Sequence, residues 1–300
     1  MNFYKKWYTY QKERFPVLTY GLYCFCLVFG TFCFSNYVSK ENIKMLIFNV
    51  DPGQYVINFY LLIPMFIVGL LQFLMVRIID EFKDYEEDCK YRSYRPVPRG
   101  LVTLKELKIL FIICAILQII ITILINPRNL IFLAIVWGFF YIMSKVFFIK
   151  KFLSKHILFE VFLDEFLLPI TVIYISSFIC KINFMSIWKL LLMTYIISWI
   201  IEIARKIRCK EKEEAGVKTY TAVFGIPKAT MLLWFLEIIL LVITYFIIPI
   251  KLYMVMVFAL ISIVNILFIA KKNKFLSNCV QYLADAYVMM LLISLVYLIV

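Results

Sequence analysis

The sequence contains no Gly/Ser linker, no low-complexity tract and no stretch long and polar enough to fold as a separate soluble domain. None of its eight cysteines forms a Cys-x-x-Cys pair, which leaves zinc and disulfide frameworks without support. Cys24, Cys26, Cys33, Cys114 and Cys180 lie in or beside apolar runs and read as small apolar residues. Cys89, Cys209 and Cys279 lie in basic loops and read as reduced thiols. The only histidine, His156, stands at the edge of an apolar run, where a structural role is expected. The apolar runs do not alternate with polar residues, which excludes a membrane β-barrel. The first run, Val17–Phe34, follows Lys5, Lys6, Lys12 and Arg14 but has no small-x-small cleavage site. It therefore reads as a retained helix, not a signal peptide.

What the sequence does have is apolar length. Hydrophobic residues make up 64% of its 300 positions, and mean hydropathy is +0.91. The apolar runs recur at about the 20 residues a bilayer-spanning helix needs. A soluble helical array would need polar outer faces, and segments such as Ile109–Leu124 and Ile238–Ile248 have almost none. The expected fold is an all-α polytopic membrane protein, a single domain over 1–300. Nine transmembrane helices are predicted at about 16–38, 56–79, 104–125, 129–149, 157–179, 186–207, 227–248, 251–270 and 281–300.

The net charge of +13 does not point to nucleic acid, because the charges sit in short loops between spans. With alternate loops assigned to opposite sides, 26 of the 32 Lys and Arg fall on one side. That asymmetry orients the rich side to the cytoplasm. The expected placement is the cell inner membrane, with the N-terminus and the active site on the cytoplasmic face and the C-terminus outside. The two longest cytoplasmic loops, about 80–103 and 208–226, are also the most charged. They follow helices four apart, a spacing that hints at a two-fold internal repeat.

The end of the second predicted helix reads Arg77-Ile-Ile-Asp80-Glu81-Phe-Lys83-Asp84-Tyr85-Glu86-Glu87-Asp88. Asp80, Asp84 and Asp88 are spaced i, i+4, i+8. At about 100° per residue all three project from nearly one helix face. Like charges at that spacing repel, and a cation between them removes the conflict. Hard oxygen ligands at a partly open site suit Mg²⁺, which keeps waters and shares carboxylates with substrate phosphates. The alternative is a solvated helix end screened by Lys83, Lys90 and Arg92. Next comes Arg92-Ser-Tyr-Arg95-Pro96-Val-Pro98-Arg99-Gly100, whose prolines and glycine set a compact turn. Arginines in such a turn suit the bidentate oxygens of a diphosphate; positive-inside charge and lipid head-group contact are the competing readings.

Together these residues resemble the UbiA-type superfamily of intramembrane prenyltransferases. Its signature Asn-Asp-x-x-Asp-x-x-x-Asp corresponds to Asp80-Glu81-x-x-Asp84-x-x-x-Asp88, and its Arg-Pro-x-Pro-x-Gly turn to Arg95-Pro96-Val97-Pro98-Arg99-Gly100. A second family region matches at Gly216-Val217-Lys218-Thr219 and Ala222-Val223-Phe224-Gly225. The resemblance implies Mg²⁺-dependent transfer of a prenyl group from an isoprenyl diphosphate to a hydrophobic acceptor, aromatic or lipid-like, with release of pyrophosphate. It implies metal ligation by Asp80, Glu81, Asp84 and Asp88, and substrate contacts from Arg92, Arg95, Arg99, Lys218 and Tyr220.

The chain departs from the family before Gly216, where a second aspartate-rich motif is usual. Here stands Glu202-Ile-Ala-Arg205-Lys206-Ile-Arg208-Cys-Lys210-Glu211. Glu202 and Glu211 could hold a second Mg²⁺. Arg205, Lys206 and Arg208 could instead grip the diphosphate, or the segment could be a salt-bridged helix end. In the fifth predicted helix, His156, Glu160 and Asp164 repeat the i, i+4, i+8 spacing, with Glu165 adjacent. A bare carboxylate at that depth costs about 3 kcal/mol, so these acids should face the bundle interior. Asp164 is expected either to orient or deprotonate an acceptor hydroxyl, or to pair with a Lys or Arg of the sixth helix. Glu237 should bond a neighbouring helix or line the cavity. A secondary transporter and a catalytically inert scaffold are the rival readings, the first weakened by charge gathered at the interface and not at the midplane.

Overall fold

The structure is a computed structural model. It describes residues 2–46, 56–153, 155–214, 217 and 219–300, with the backbone alone at 42–46. Among the described residues every regular element is a helix. A short helix, α1 (Phe3–Arg14), precedes α2 (Val17–Leu46). Pro16 separates them by forcing Phe15 out of the helical region, to φ −142°. Then follow α3 (Leu62–Lys83), α4 (Tyr85–Tyr91), α5 (Leu104–Ile125), α6 (Leu130–Ser144) and the single turn α7 (Lys150–Leu153). The second half comprises α8 (Ile157–Asp164), α9 (Leu167–Ser176), α10 (Phe184–Arg205), α11 (Tyr220–Phe224), α12 (Ile226–Tyr245), α13 (Leu252–Lys271) and α14 (Lys274–Ser294).

Helix ends follow local chemistry. Thr103 and Glu106 form a reciprocal capping box that starts α5, and Asn126-Pro127 ends it. Asn273 accepts from Leu276 N and starts α14 seven residues before the predicted position 281. That first stretch carries the polar residues Ser277, Asn278 and Gln281. Successive long helices pack side by side, and α14 returns to α2, so the bundle closes on itself. The outward faces are apolar: Ile109, Ile113, Ile116 and Ile120 on α5, and Phe235, Ile238 and Val242 on α12, are exposed. Apolar faces of this extent belong against lipid.

Among the described residues, eight helical stretches are long and apolar enough to cross a membrane. The predicted span 157–179 is not among them, because it folds as α8 and α9 with a break at Glu165-Phe166. Pro169 is the cause. It has no N–H, and its ring crowds the carbonyl four residues back, that of Glu165. The carbonyls released by the break are recaptured by α10. Ser198 Oγ donates to Glu165 O at 3.2 Å, and Tyr195 OH donates to Phe162 O at 3.0 Å. Such recapture is what allows a broken helix inside a membrane bundle.

Polar side chains tie the other helices together. Gln118 of α5 accepts from Trp137 Nε1 at 3.1 Å and lies 3.4 Å from Gln72 of α3. Glu237 is fully buried and accepts from Asn265 Nδ2 of α13 at 2.9 Å, so it bonds a neighbouring helix, the first of the two expected roles. Contacts of this kind contribute about 0.6 kcal/mol each on average. Close approach of α2 to α14 depends on Gly30, where an added Cβ would lie 2.7 Å from the carbonyl oxygen of Leu292.

Gly30→Ala should therefore lower the thermal midpoint of the detergent-solubilised protein, with an overpacking cost of about 1–3 kcal/mol. Gly21→Ala should leave it equal or raise it, since no atom lies within 4 Å of the added methyl and alanine favours a helix interior.

Candidate active site

The C-terminal ends of α3 and α10 and the turns after them gather the charge. The three aspartates do not form one straight ladder there. α3 ends at Lys83, Asp84 bends at φ −96°, ψ 2°, and α4 begins at Tyr85. Helical hydrogen bonds continue through the bend, Asp84 N to Asp80 O at 2.9 Å and Asp88 N to Asp84 O at 2.8 Å. The bend nevertheless separates the surroundings of the carboxylates.

Asp88 is 1% exposed. Arg95 Nη1 reaches its two oxygens at 2.8 and 2.6 Å, and Arg92 Nη1 reaches Oδ1 at 2.9 Å. The Arg-Pro-x-Pro turn is thereby fastened back onto the motif that precedes it. Its backbone closes through Leu101 N to Pro96 O at 2.8 Å, with Gly100 at φ 74°, a conformation that favours glycine. Arg99 points the other way, donating to Glu13 Oε1 of α1 and to Tyr94 O, both at 2.9 Å. Glu81 is 2% exposed and enclosed by Arg77, at 3.6 Å, and by Arg14 of α1. Glu81 and Asp88, expected as metal ligands, and Arg92, Arg95 and Arg99, expected as substrate contacts, each hold a protein partner in this structure. Guanidinium–carboxylate pairing satisfies both groups without a ligand.

Asp80 and Asp84 are left. Asp80 has Arg77 Nη1 at 3.4 Å, and the charges of Arg205, Lys83 and Glu202 act on it. Asp84 has no ion pair among the described residues, and its carboxyl is pushed up to about 6, first by burial and then by the charge of Asp80. Two carboxylates one helical turn apart, one of them without an ion pair among the described residues, fit one divalent cation. Mg²⁺ commonly takes one or two carboxylates and completes its shell with phosphate oxygens and water. Among the described residues no three acidic, His or Cys side chains converge as a closed metal cage.

The second region does not form such a pair. Both oxygens of Glu202 are engaged, one by Arg205 and one by Lys206, while Glu211 is exposed on the turn Lys210–Lys212. Of the three alternatives, the salt-bridged helix end is what the structure contains at Glu202. Arg208 donates to Glu214 Oε1 at 3.1 Å, and Glu214 Oε2 accepts from Tyr94 OH at 3.1 Å. That carboxylate joins the second loop to the arginine turn. Tyr220 is fully buried with its hydroxyl unpartnered, and Lys206 Nζ lies 5.7 Å from its ring centroid. Burial holds its phenol well above the usual range, with the charges of Glu202 and Glu165 next in effect. Gly216 and Lys218 lie outside the described residues.

Helix α8 brings Glu160 and Asp164 to Lys83 Nζ, each at 3.4 Å. The expected partner for Asp164 was a base from the sixth helix; the structure supplies Lys83 from α3 instead. Asp164 Oδ1 stays buried with no hydrogen-bond partner. His156 precedes α8, makes no side-chain cap, and packs on Phe152 with ring centroids 4.5 Å apart. Lys83 and Arg14 are site residues that sequence reasoning missed. Lys83 read as a screening charge for its own helix, and Arg14 as one of four topogenic charges before the first span.

A family model described as the UbiA prenyltransferase family matches residues 52–294. Three solved structures align along most of their length. One, described as digeranylgeranylglyceryl phosphate synthase in membranes, is 20% identical and covers 98% of this chain and 99% of its own, with a TM-score of 0.56. The apo UbiA homologue from Aeropyrum pernix K1 is 12% identical over 88% of this chain and 97% of its own, TM-score 0.58. The homologue from Archaeoglobus fulgidus bound to DMAPP and Mg²⁺ is 12% identical over 94% and 99%, TM-score 0.52. No curated protein sequence matches.

Stability should separate the two aspartates. Asp88→Asn breaks a buried ion-pair network and should cost about 3 kcal/mol in reversible unfolding. Asp84→Asn should do the opposite in metal-free buffer. A carboxyl held above its ordinary range binds its proton more tightly folded than unfolded, so the folded chain loses stability as pH rises from that range through about 6. The variant should exceed the wild type at pH 7.5, and the difference should vanish near pH 4; thermal unfolding at the two pH values measures it.

Proposed function

This chain belongs to the UbiA prenyltransferase family, and we propose on that premise that it transfers a prenyl group from an isoprenyl diphosphate to a hydrophobic acceptor within the membrane. The observation that carries the reading is the neighbouring carboxylates Asp80 and Asp84, the second without an ion pair among the described residues, at the charged end of a bundle whose flanks are apolar. A prenyl diphosphate has the matching form, a polyanionic head on an apolar tail. It would place its head at this end and its tail between helices. The Archaeoglobus fulgidus homologue bound to DMAPP and Mg²⁺ holds a ligand of that class in a related fold.

Asp80 and Asp84 would hold Mg²⁺, whose charge stabilises pyrophosphate as it leaves. Arg205, whose charge reaches Asp80, supplies a fixed positive charge on the α10 side of the same site. It stands where a second acidic motif is usual, so the site uses a guanidinium in a place that would otherwise favour another cation. The C–O bond to the diphosphate breaks, the allylic carbon bonds to the acceptor, and the acceptor's proton must leave. Asp164 would take it; the support is that Lys83 holds Oδ2 while Oδ1 is buried without a hydrogen-bond partner. Tyr220, with its unpartnered hydroxyl, is the proposed contact to substrate. The nine-crossing topology, with α8 and α9 together as one crossing, the N-terminus and site facing the cytoplasm and the inner membrane as location, belongs to the same proposal. Its support is the asymmetry of Lys and Arg.

One arrangement favours a second reading, a UbiA-like scaffold without activity. The ion pairs at Asp88 and Glu202 engage two carboxylates that would otherwise be available to a metal.

Purified protein should bind a prenyl diphosphate only with Mg²⁺ present. Asp84→Ala should weaken that binding by about 100-fold, equivalent to one charged contact of about 3 kcal/mol. Binding indifferent to both metal and substitution leaves the scaffold reading standing. Asp164→Asn should keep the KM for the donor and lower kcat by about 10²–10⁴, the range for loss of a general base. A parallel loss in donor affinity would remove Asp164 from that role.

A further inference from the structure

Helix α1 lies wholly before residue 52, where the family match begins, yet it is fastened to the charged end of the bundle at three places. Tyr4, Lys5, Tyr8 and Lys12 are exposed, whereas Tyr10 is buried and Lys6, Trp7 and Arg14 are partly so. Because α1 runs into α2 through Phe15-Pro16, it sits at the end of a membrane span. An aromatic and basic outer face is stable there. Tyr10 packs with Ile78, Val97, Val102 and Leu107. Lys6 pairs with Glu106, the residue that caps α5, and Glu13 pairs with Arg99 of the turn at 2.9 Å.

Those contacts set the register of α1, and its last residue then reaches inward. The Arg14 side chain is 8% exposed. Its Nε donates to Glu81 Oε1, and its Nη2 lies 4.0 Å from Asp88 Oδ2. Without Arg14, the buried Glu81 would keep only Arg77, at 3.6 Å and shared with Asp80. A buried carboxylate so poorly compensated would either take up a proton or recruit another cation.

We propose that Arg14 is a positioning residue: it holds Glu81, and helps hold Asp88, in ion pairs, which leaves Asp80 and Asp84 as the carboxylates presented to a divalent cation and diphosphate. The N-terminal helix thus determines how many carboxylates the cation site contains. This rests on the prenyl diphosphate reading above. It also accounts for a site that keeps the acidic positions of its family while arginines occupy two of them.

The test counts metal directly. Mn²⁺ binding to the full-length protein in lipid nanodiscs is followed by electron paramagnetic resonance, with and without inorganic pyrophosphate. The variants are Arg14→Gln, Arg14→Lys, Glu81→Gln and the double variant Arg14→Gln/Glu81→Gln. Release of Glu81 by Arg14→Gln should add an equivalent of bound Mn²⁺ per chain, and the double variant should return the count to the wild-type value. Arg14→Lys should retain the wild-type count. A merely structural arginine would lower the midpoint of unfolding without adding metal. Should Arg14→Gln fail to fold, Glu81→Gln alone decides the matter: an unchanged Mn²⁺ count supports the proposal, and a lost equivalent overturns it by making Glu81 a ligand. An unchanged count in Arg14→Gln, or a gain that the double variant does not reverse, also overturns it. A wild type whose Mn²⁺ binding is not strengthened by pyrophosphate defeats the diphosphate reading itself, and this proposal with it.

Discussion

Guanidinium–carboxylate pairing at the end of α3 is the constraint on which the charged end of this molecule depends. Arg14, Arg77, Arg92 and Arg95 come from one interfacial helix, one membrane helix and one turn, and they meet on Asp88 and Glu81. A carboxylate buried near the membrane surface is tolerable only when neutralised. Four arginines therefore fix where α1, α3, α4 and the Arg-Pro-x-Pro turn can lie relative to one another. Among the described residues the same network leaves Asp84 without an ion pair, and the chemistry proposed for the site depends on that residue. Within one acidic motif, Glu81 and Asp88 are held in buried ion pairs, while Asp80 keeps a longer contact to Arg77.

The break between α8 and α9 plays a comparable part beside α3. Pro169 interrupts the hydrogen-bond ladder, and α10 takes up the released carbonyls through Ser198 and Tyr195. The short helix α8 carries Glu160 and Asp164 to Lys83. A single lysine of α3, three residues after Asp80, thus links the first motif to the acids of the broken helix. The loop after α10 completes the enclosure, because Glu214 joins Arg208 to Tyr94 and Lys212 pairs with Asn278 of α14. Loops separated by long stretches of sequence meet at one end of the bundle, as the uneven distribution of Lys and Arg suggested.

Much of this was legible beforehand. Long apolar runs fixed the helical membrane bundle, because a segment without polar groups can satisfy its backbone in lipid only as a helix. Asp80 and Asp84 were singled out by their spacing, since residues one turn apart are neighbours in any helix, and the turn after Asp88 by its prolines and glycine. The reading went astray where a single-helix argument was extended past its end. Asp88 was grouped with Asp80 on the assumption of one straight helix, whereas the helix bends at Asp84 and Asp88 is held by Arg92 and Arg95. Arg14 and Lys83 were passed over because a positive charge beside a span has a sufficient explanation in topology. Nothing in the local sequence says that its guanidinium or ammonium turns inward.

What the sequence by itself determined is therefore periodic and cumulative: helix type, span length, the end at which charge collects, and the acids one turn apart. Those properties depend on residues within a turn or two of each other, or on sums over whole loops. Only the tertiary structure decided which carboxylates are neutralised and which stay open. That outcome depends on cations delivered from helices far apart in the chain, Arg14 to Glu81 and Lys83 to Asp164. The strength of each pairing depends on burial that exists only once the helices have packed.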